Sequence, residues 1–135
     1  MFLRKIQKSK KCAGGIVFVL TGPSGSGKTT LASQLLKTKG IARCFARSVS
    51  FTTRKPRLGE ADGRDYFFVT ESRFRSLLRK KKILEWTRYL GYYYGTPREF
   101  VQERLAEGKS LIFCLDRKGA LRLKRVFGKS SRTIF

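Results

Sequence analysis

The chain of 135 residues has no histidine. Any mechanism built on a histidine base, a histidine-containing triad or a histidine metal ligand is therefore excluded. Acidic side chains are scarce as well: 9 Asp and Glu face 31 Lys and Arg, giving a net charge of +22. Cysteine is confined to Cys12, Cys44 and Cys114, an odd number without paired or zinc-type spacing. That usage fits a reducing, cytoplasmic setting better than a disulfide scaffold. Long apolar runs are missing too. The stretch Ile16-Val17-Phe18-Val19-Leu20 is far too short to span a bilayer, so no membrane role is expected.

The positive excess favours polyanionic partners. Nucleotides suit it, and nonspecific contact with nucleic acid would follow from charge alone, although no nucleic-acid-binding motif is present. Hydrophobic residues make up 41%, enough for one packed domain. Residues 1–13 are basic and read as a disordered tail, with a transit peptide as the alternative. Nothing in the sequence speaks to oligomeric state.

The apolar run at Ile16 is bounded by glycines and reads as a buried parallel strand. A helix is expected from Lys28 to Lys39, with Leu31, Leu35 and Leu36 on one face and Gly40 just past its end. Phe45 to Phe51 should be extended, and Thr52 to Asp65 a loop. Tyr66 to Val69 reads as a short strand, and Thr70 as the cap of a helix facing inward through Phe74, Leu77 and Leu78. Ile83 to Leu90 and Tyr92 to Tyr94 should pair as a hairpin about Gly91. Thr96-Pro97-Arg98-Glu99 has the pattern of a capping box, opening a helix that stops near Gly108. Leu111 to Leu115 is a second buried strand, Gly119 to Phe127 a helix, and Thr133 to Phe135 the start of another strand.

This order gives an α/β class with a doubly wound parallel sheet. The expected core is 14–47 and 97–135, interrupted by a mixed α+β lobe at 48–96; together they make one domain over 14–135.

The most informative motif is Gly22-Pro23-Ser24-Gly25-Ser26-Gly27-Lys28-Thr29, followed by Thr30. It matches G-x-x-x-x-G-K-[ST] in full. Glycines let successive backbone N–H groups converge on phosphate, and the next helix aims its positive end there. Lys28 can reach the β- and γ-phosphates, and Thr29 supplies a hydroxyl for Mg²⁺. The fold is then of the P-loop NTPase type. The loop leaves the acceptor open: water, a protein hydroxyl or a small molecule.

A second stretch narrows this. Ser48-Val49-Ser50-Phe51-Thr52-Thr53-Arg54-Lys55-Pro56-Arg57-Leu58-Gly59-Glu60 precedes Gly63-Arg64-Asp65-Tyr66, Glu85-Trp86 and Tyr93-Tyr94-Gly95-Thr96. With the phosphate loop, this set resembles the guanylate kinases, which move the γ-phosphoryl of ATP onto GMP. The resemblance runs from about Gly15 onward. It implies that Ser50, Arg54, Arg57, Tyr66 and Tyr94 hold the GMP phosphate. It also implies that Glu85 accepts from guanine N1–H and the 2-amino group, that Thr96 meets O6, and that Asp116 lies near the base. The middle lobe would then be the GMP-binding lobe, and Lys28 and Arg54 would carry catalysis with Mg²⁺ by positioning and charge neutralisation. Outside that company the same residues have plainer readings. Arg54 and Arg57 could be loop cations, Tyr66 and Tyr94 strand packing, Glu85 a cross-strand partner and Thr96 a helix cap.

The chain departs from the family pattern at three places. Cys114 stands where an acidic residue is usual, and Arg117-Lys118-Gly119 where an apolar residue, glutamine and glycine are more common. The family also continues past position 135, through a lid with phosphate-binding arginines and further helices. Loss of such arginines typically costs about 10³–10⁵ in rate. The expected function is therefore phosphorylation of GMP by ATP, weakened if the lid is missing. The alternative is a catalytically impaired nucleotide- or protein-binding module.

Overall fold

A computed structural model describes residues 14–135. The expectation for residues 1–13 lies outside the described residues. Two sheets form. The first is wholly parallel, with strand order β2-β7-β1-β8. It comprises β1 (Val17–Thr21), β2 (Phe45–Arg47), β7 (Ser110–Leu115) and β8 (Ser131–Ile134). The second is mixed, ordered β4-β3-β6-β5. It comprises β3 (Phe51–Thr52), β4 (Phe67–Phe68), β5 (Ile83–Tyr89) and β6 (Tyr92–Pro97). The expected extended run from Phe45 to Phe51 is thus split between two sheets, and Ser48 to Ser50 form the crossing.

Helices cover both faces of the parallel sheet, as continuous apolar strands require. On one face Val17, Val19, Leu111 and Phe113 pack with Val101 of α4 (Arg98–Ala106) and Ala120 and Leu123 of α5 (Arg117–Phe127). On the other, Leu20 and Ile112 meet Ala32 of α1 (Lys28–Lys37), with Leu35 and Leu36 beside them. Leu31, expected on that face, is exposed. Helix α1 also ends earlier than expected, at Lys37, and Gly40 precedes the short α2 (Ile41–Cys44) with φ 89°. The left-handed conformation at Gly40 thus starts a second turn of helix and does not close the first.

The second sheet is held by α3 (Glu71–Arg79). Thr70 caps it as expected, its hydroxyl accepting from the Arg73 amide. Phe74 and Leu77 pack on Ile83, and the Phe74 ring stacks on Tyr93 with centroids 5.2 Å apart. The hairpin turns where expected: Leu90 and Gly91 have φ of 49° and 84°, the left-handed pair that a tight two-residue loop demands.

Two further expectations are corrected. The capping box does not form: Thr96 lies fully buried in β6, and Pro97 opens α4 without a side-chain cap. Glu99 instead pairs with Lys82. Helix α5 starts at Arg117, two residues before the expected Gly119, because the Asp116 carboxylate accepts from the Gly119 amide at 2.7 Å. Cys114 is a free thiol.

Phe74 is fully buried and joins α3 to the second sheet. Phe74→Ala should destabilise the fold by about 3–5 kcal/mol. Urea unfolding followed by far-UV circular dichroism measures it, and a loss below about 1 kcal/mol would show that this contact is not structural.

Candidate functional site

In open α/β sheets, ligands settle beyond the carboxyl ends of the strands, where the strand order reverses. Three such ends converge here. After β1 comes the loop Gly22–Gly27 and then Thr29 on α1; β2 ends at Arg47, with Ser48 following; at the end of β7 lie Cys114 and Leu115. Thr29, Arg47, Ser48, Cys114 and Leu115 line one small cavity of about 70 Å³ together with Ser50, Asp65 and Tyr66. The parallel core and the second lobe therefore meet at this point.

The phosphate loop has the backbone its glycines permit. Gly25 and Gly27 adopt φ of 78° and 86°, and the Ser26 amide donates to the Pro23 carbonyl. Gly27 opens α1 with no side-chain cap and no acidic residue in the first turn. The helix N-terminus is thus left for an anion. Lys28 lies back over the loop, donating at 2.8 Å to the carbonyls of both Gly22 and Pro23. An ammonium has three donors, so one remains for a phosphate. Pro23 to Gly27, Thr29 and Thr30 are exposed.

Arg54 is held in the second lobe with 9% exposure. Its guanidinium makes two parallel bonds to Glu60, each 2.9 Å, and a third to the Lys55 carbonyl. It lies 5.3 Å from the Tyr66 ring centroid, and Tyr66 meets Tyr94 edge-on. Its pKa is raised, chiefly by Glu60, with the Tyr94 hydroxyl contributing. Glu60 is in turn lowered to about 2, first by Arg54 and then by the Arg57 amide. The Arg57 side chain itself is exposed.

At the far end of the second sheet, Glu85 is 4% exposed and accepts from the Thr96 hydroxyl. Burial pushes its carboxyl above the usual range; Thr96 opposes this, and nearby Asp116 adds to it. Gly119 makes room for the arrangement. A Cβ there would sit 3.0 Å from a Glu85 oxygen and 3.3 Å from Asp116 Oδ1. Arg122 of α5 donates to the Trp86 carbonyl and fastens this edge to the core.

The structure thus gathers Thr29, Ser50 and Tyr66 around the cavity, sets Arg54 over Tyr66 with Tyr94 beside it, and joins Glu85, Thr96 and Asp116 into a second cluster. Arg57 and Thr30 are not brought into contact with either group. Sequence reasoning missed Arg47, Ser48 and Asp65 as lining residues, and Glu60 as the partner of Arg54. Glu60 was visible as the last residue of the R-x-x-R-x-x-E run. Nothing in the sequence pointed to Arg47.

Comparison with known proteins follows the same geometry. The family model described as guanylate kinase matches residues 15–135. The chain belongs to the guanylate kinase family. It is 45% identical over 121 residues to the guanylate kinase of Synechocystis, covering 90% of this chain and 61% of that protein. Against the guanylate kinase of Wolbachia pipientis it is 41% identical over 121 residues, 90% of this chain and 59% of that one. The crystal structure of guanylate kinase from Anaplasma phagocytophilum superposes with a TM-score of 0.75 at 31% identity, over 91% of this chain and 60% of that one. The chain thus spans about three-fifths of the length of these relatives. Membership of the guanylate kinase family agrees with the α/β P-loop architecture seen here. Among the described residues no helix is long and apolar enough to cross a membrane.

Because burial raises the Glu85 pKa, ionising it costs the folded state more than the unfolded chain. Its unfavourable contribution is absent below the unfolded pKa and grows as pH rises through the folded one. Glu85→Gln should therefore raise the melting temperature at neutral pH, with the gain fading in acid. Thermal scans from pH 4 to pH 8 check this; a variant less stable at every pH would overturn it.

Proposed function

We propose that the chain binds ATP on the Gly22–Thr30 loop and GMP in the second lobe, and that it transfers the γ-phosphoryl from one to the other. The observation that carries this reading is the convergence of Thr29, at the end of the phosphate loop, with Ser50 and Tyr66 of the second lobe on one cavity. Donor and acceptor phosphates placed from opposite sides would meet there. The lobes then correspond to an ATP-binding core at 14–47 and 97–135 and a GMP-binding lobe at 48–96.

Arg54, with Ser50, Tyr66 and Tyr94, would receive the GMP phosphate. The exposed Arg57 would reach it by a change of rotamer. Arginine and tyrosine donors suit a dianion. The ionised Glu85 would accept from guanine N1–H and the 2-amino group; adenine has no such donor pair. Thr96 and Asp116 complete the base-binding end. Lys28 would draw charge from the transferring group, and the acceptor phosphate oxygen, already anionic, needs no histidine base.

The donor set is compatible with Mg²⁺. This ion commonly takes one or two protein oxygens, with phosphates and waters supplying the rest. Thr29 offers the hydroxyl. Cys114, beside it, has its pKa raised by burial and stays protonated at neutral pH, so it is no competing ligand. The Thr29 hydroxyl would hold the ion, which would supply charge neutralisation for the phosphates.

Coupled ADP release should be seen with GMP and be at background with AMP, CMP and UMP. Glu85→Gln should weaken GMP binding by roughly 10–100-fold, as loss of a charged acceptor does. Turnover of AMP in preference to GMP would refute the base assignment. Calorimetric binding of both nucleotides without turnover would make the chain a binding module.

A further inference from the structure

Glu60 is the unused group of the acceptor site. It was not among the residues expected to touch nucleotide, yet it organises both phosphate arginines. Its two oxygens take the two Arg54 bonds at 2.9 Å, so the guanidinium plane is fixed by a fork-to-fork pair. One of these oxygens also accepts from the Arg57 amide at 2.7 Å, and the Glu60 amide donates to the Arg57 carbonyl at 3.0 Å. The carboxylate therefore closes the turn on which Arg57 stands while it clamps Arg54.

The donor count shows what this clamp leaves. A guanidinium has five N–H donors. Two Arg54 donors go to Glu60 and one to the Lys55 carbonyl. Nε–H and the second hydrogen on Nη2 are left over, and Tyr94 is near enough to interact. The Tyr66 ring at 5.3 Å and the Phe68 ring at 6.0 Å flank the group. The guanidinium thus has one geometry, with donors still to spend. Arg54 without Glu60 would keep its charge but lose that geometry.

We infer that Glu60 is a positioning residue for phosphate-monoester recognition: it presets Arg54 and the Arg57 turn so that a nucleoside monophosphate meets oriented donors. It acts through the arginines and does not touch the ligand. The inference rests on the GMP reading of this lobe.

The test is isothermal calorimetry with GMP and, separately, ATP on the whole chain, on Glu60→Gln, on Arg54→Lys and on the double variant. Glu60→Gln keeps size and removes the charge. Its GMP dissociation constant should rise roughly tenfold or more, with that for ATP unchanged. In the Arg54→Lys background the same change should add little, since the fork it serves is gone. Equal GMP affinity of Glu60→Gln and the unaltered chain overturns the inference. So does tighter GMP binding, which would make Glu60 a competitor for Arg54. A parallel loss of ATP and GMP affinity with a lowered melting temperature also overturns it, by showing a merely structural role. Failure of the unaltered chain to bind GMP overturns the reading of the lobe and the inference with it, and is distinguished by that first titration.

Discussion

Everything in this molecule is placed from the pairing of β1 with β7. Five consecutive registers, Val17 with Leu111 through Thr21 with Leu115, run parallel and in step. Apolar side chains fill both faces, so a slip of one residue would exchange the side chains that meet α4 and α5 for those that meet α1. The register brings Thr21 and Leu115 level, and the segments that follow them leave the sheet at the same height. The phosphate loop departs from one strand and Asp116 from the other. Since β2 pairs with β7 as well, Arg47 and Ser48 arrive at the same edge. The cavity between the strand ends needs no separate organisation once those ends coincide.

Charge is distributed with a purpose that net charge alone conceals. Most cations lie on the surface, where screening limits their effect. The few carboxylates within the site are each committed. Glu60 neutralises Arg54, Asp116 caps α5, and Glu85 is buried beside Thr96. Glu85 is thus the carboxylate least comfortable in the folded chain. Pre-forming an acceptor in low dielectric favours a partner that brings its own donors, because water does so poorly there.

How far the sequence discloses this can be judged residue by residue. The phosphate loop was legible because each position answers a local demand: glycine for backbone, lysine for charge, threonine for hydroxyl. The strands and α3 were legible from apolar spacing. Thr96 misled because its neighbours form a helix-opening pattern, and only a tertiary contact with Glu85, eleven positions away, decides its hydrogen bond. Leu31 misled because its spacing matches a face that Ala32 occupies instead. Glu60 was read as part of a motif, but its grip on Arg54 requires the loop to fold back. Arg47 carries no pattern at all; the end of a strand brings it, with Ser48, to the cavity.

The parallel sheet also sets an order of assembly. Its central strand, β1, finds both partners in the last quarter of the chain; the Ile16 amide meets the Ser110 hydroxyl 94 positions on. The second sheet closes among near neighbours, within Phe51 to Pro97. Local contacts form sooner than distant ones. On the ribosome, the lobe between them can therefore consolidate while β1 still waits with bare edges. The most apolar segment of the molecule is then the one that a chaperone would have most reason to hold.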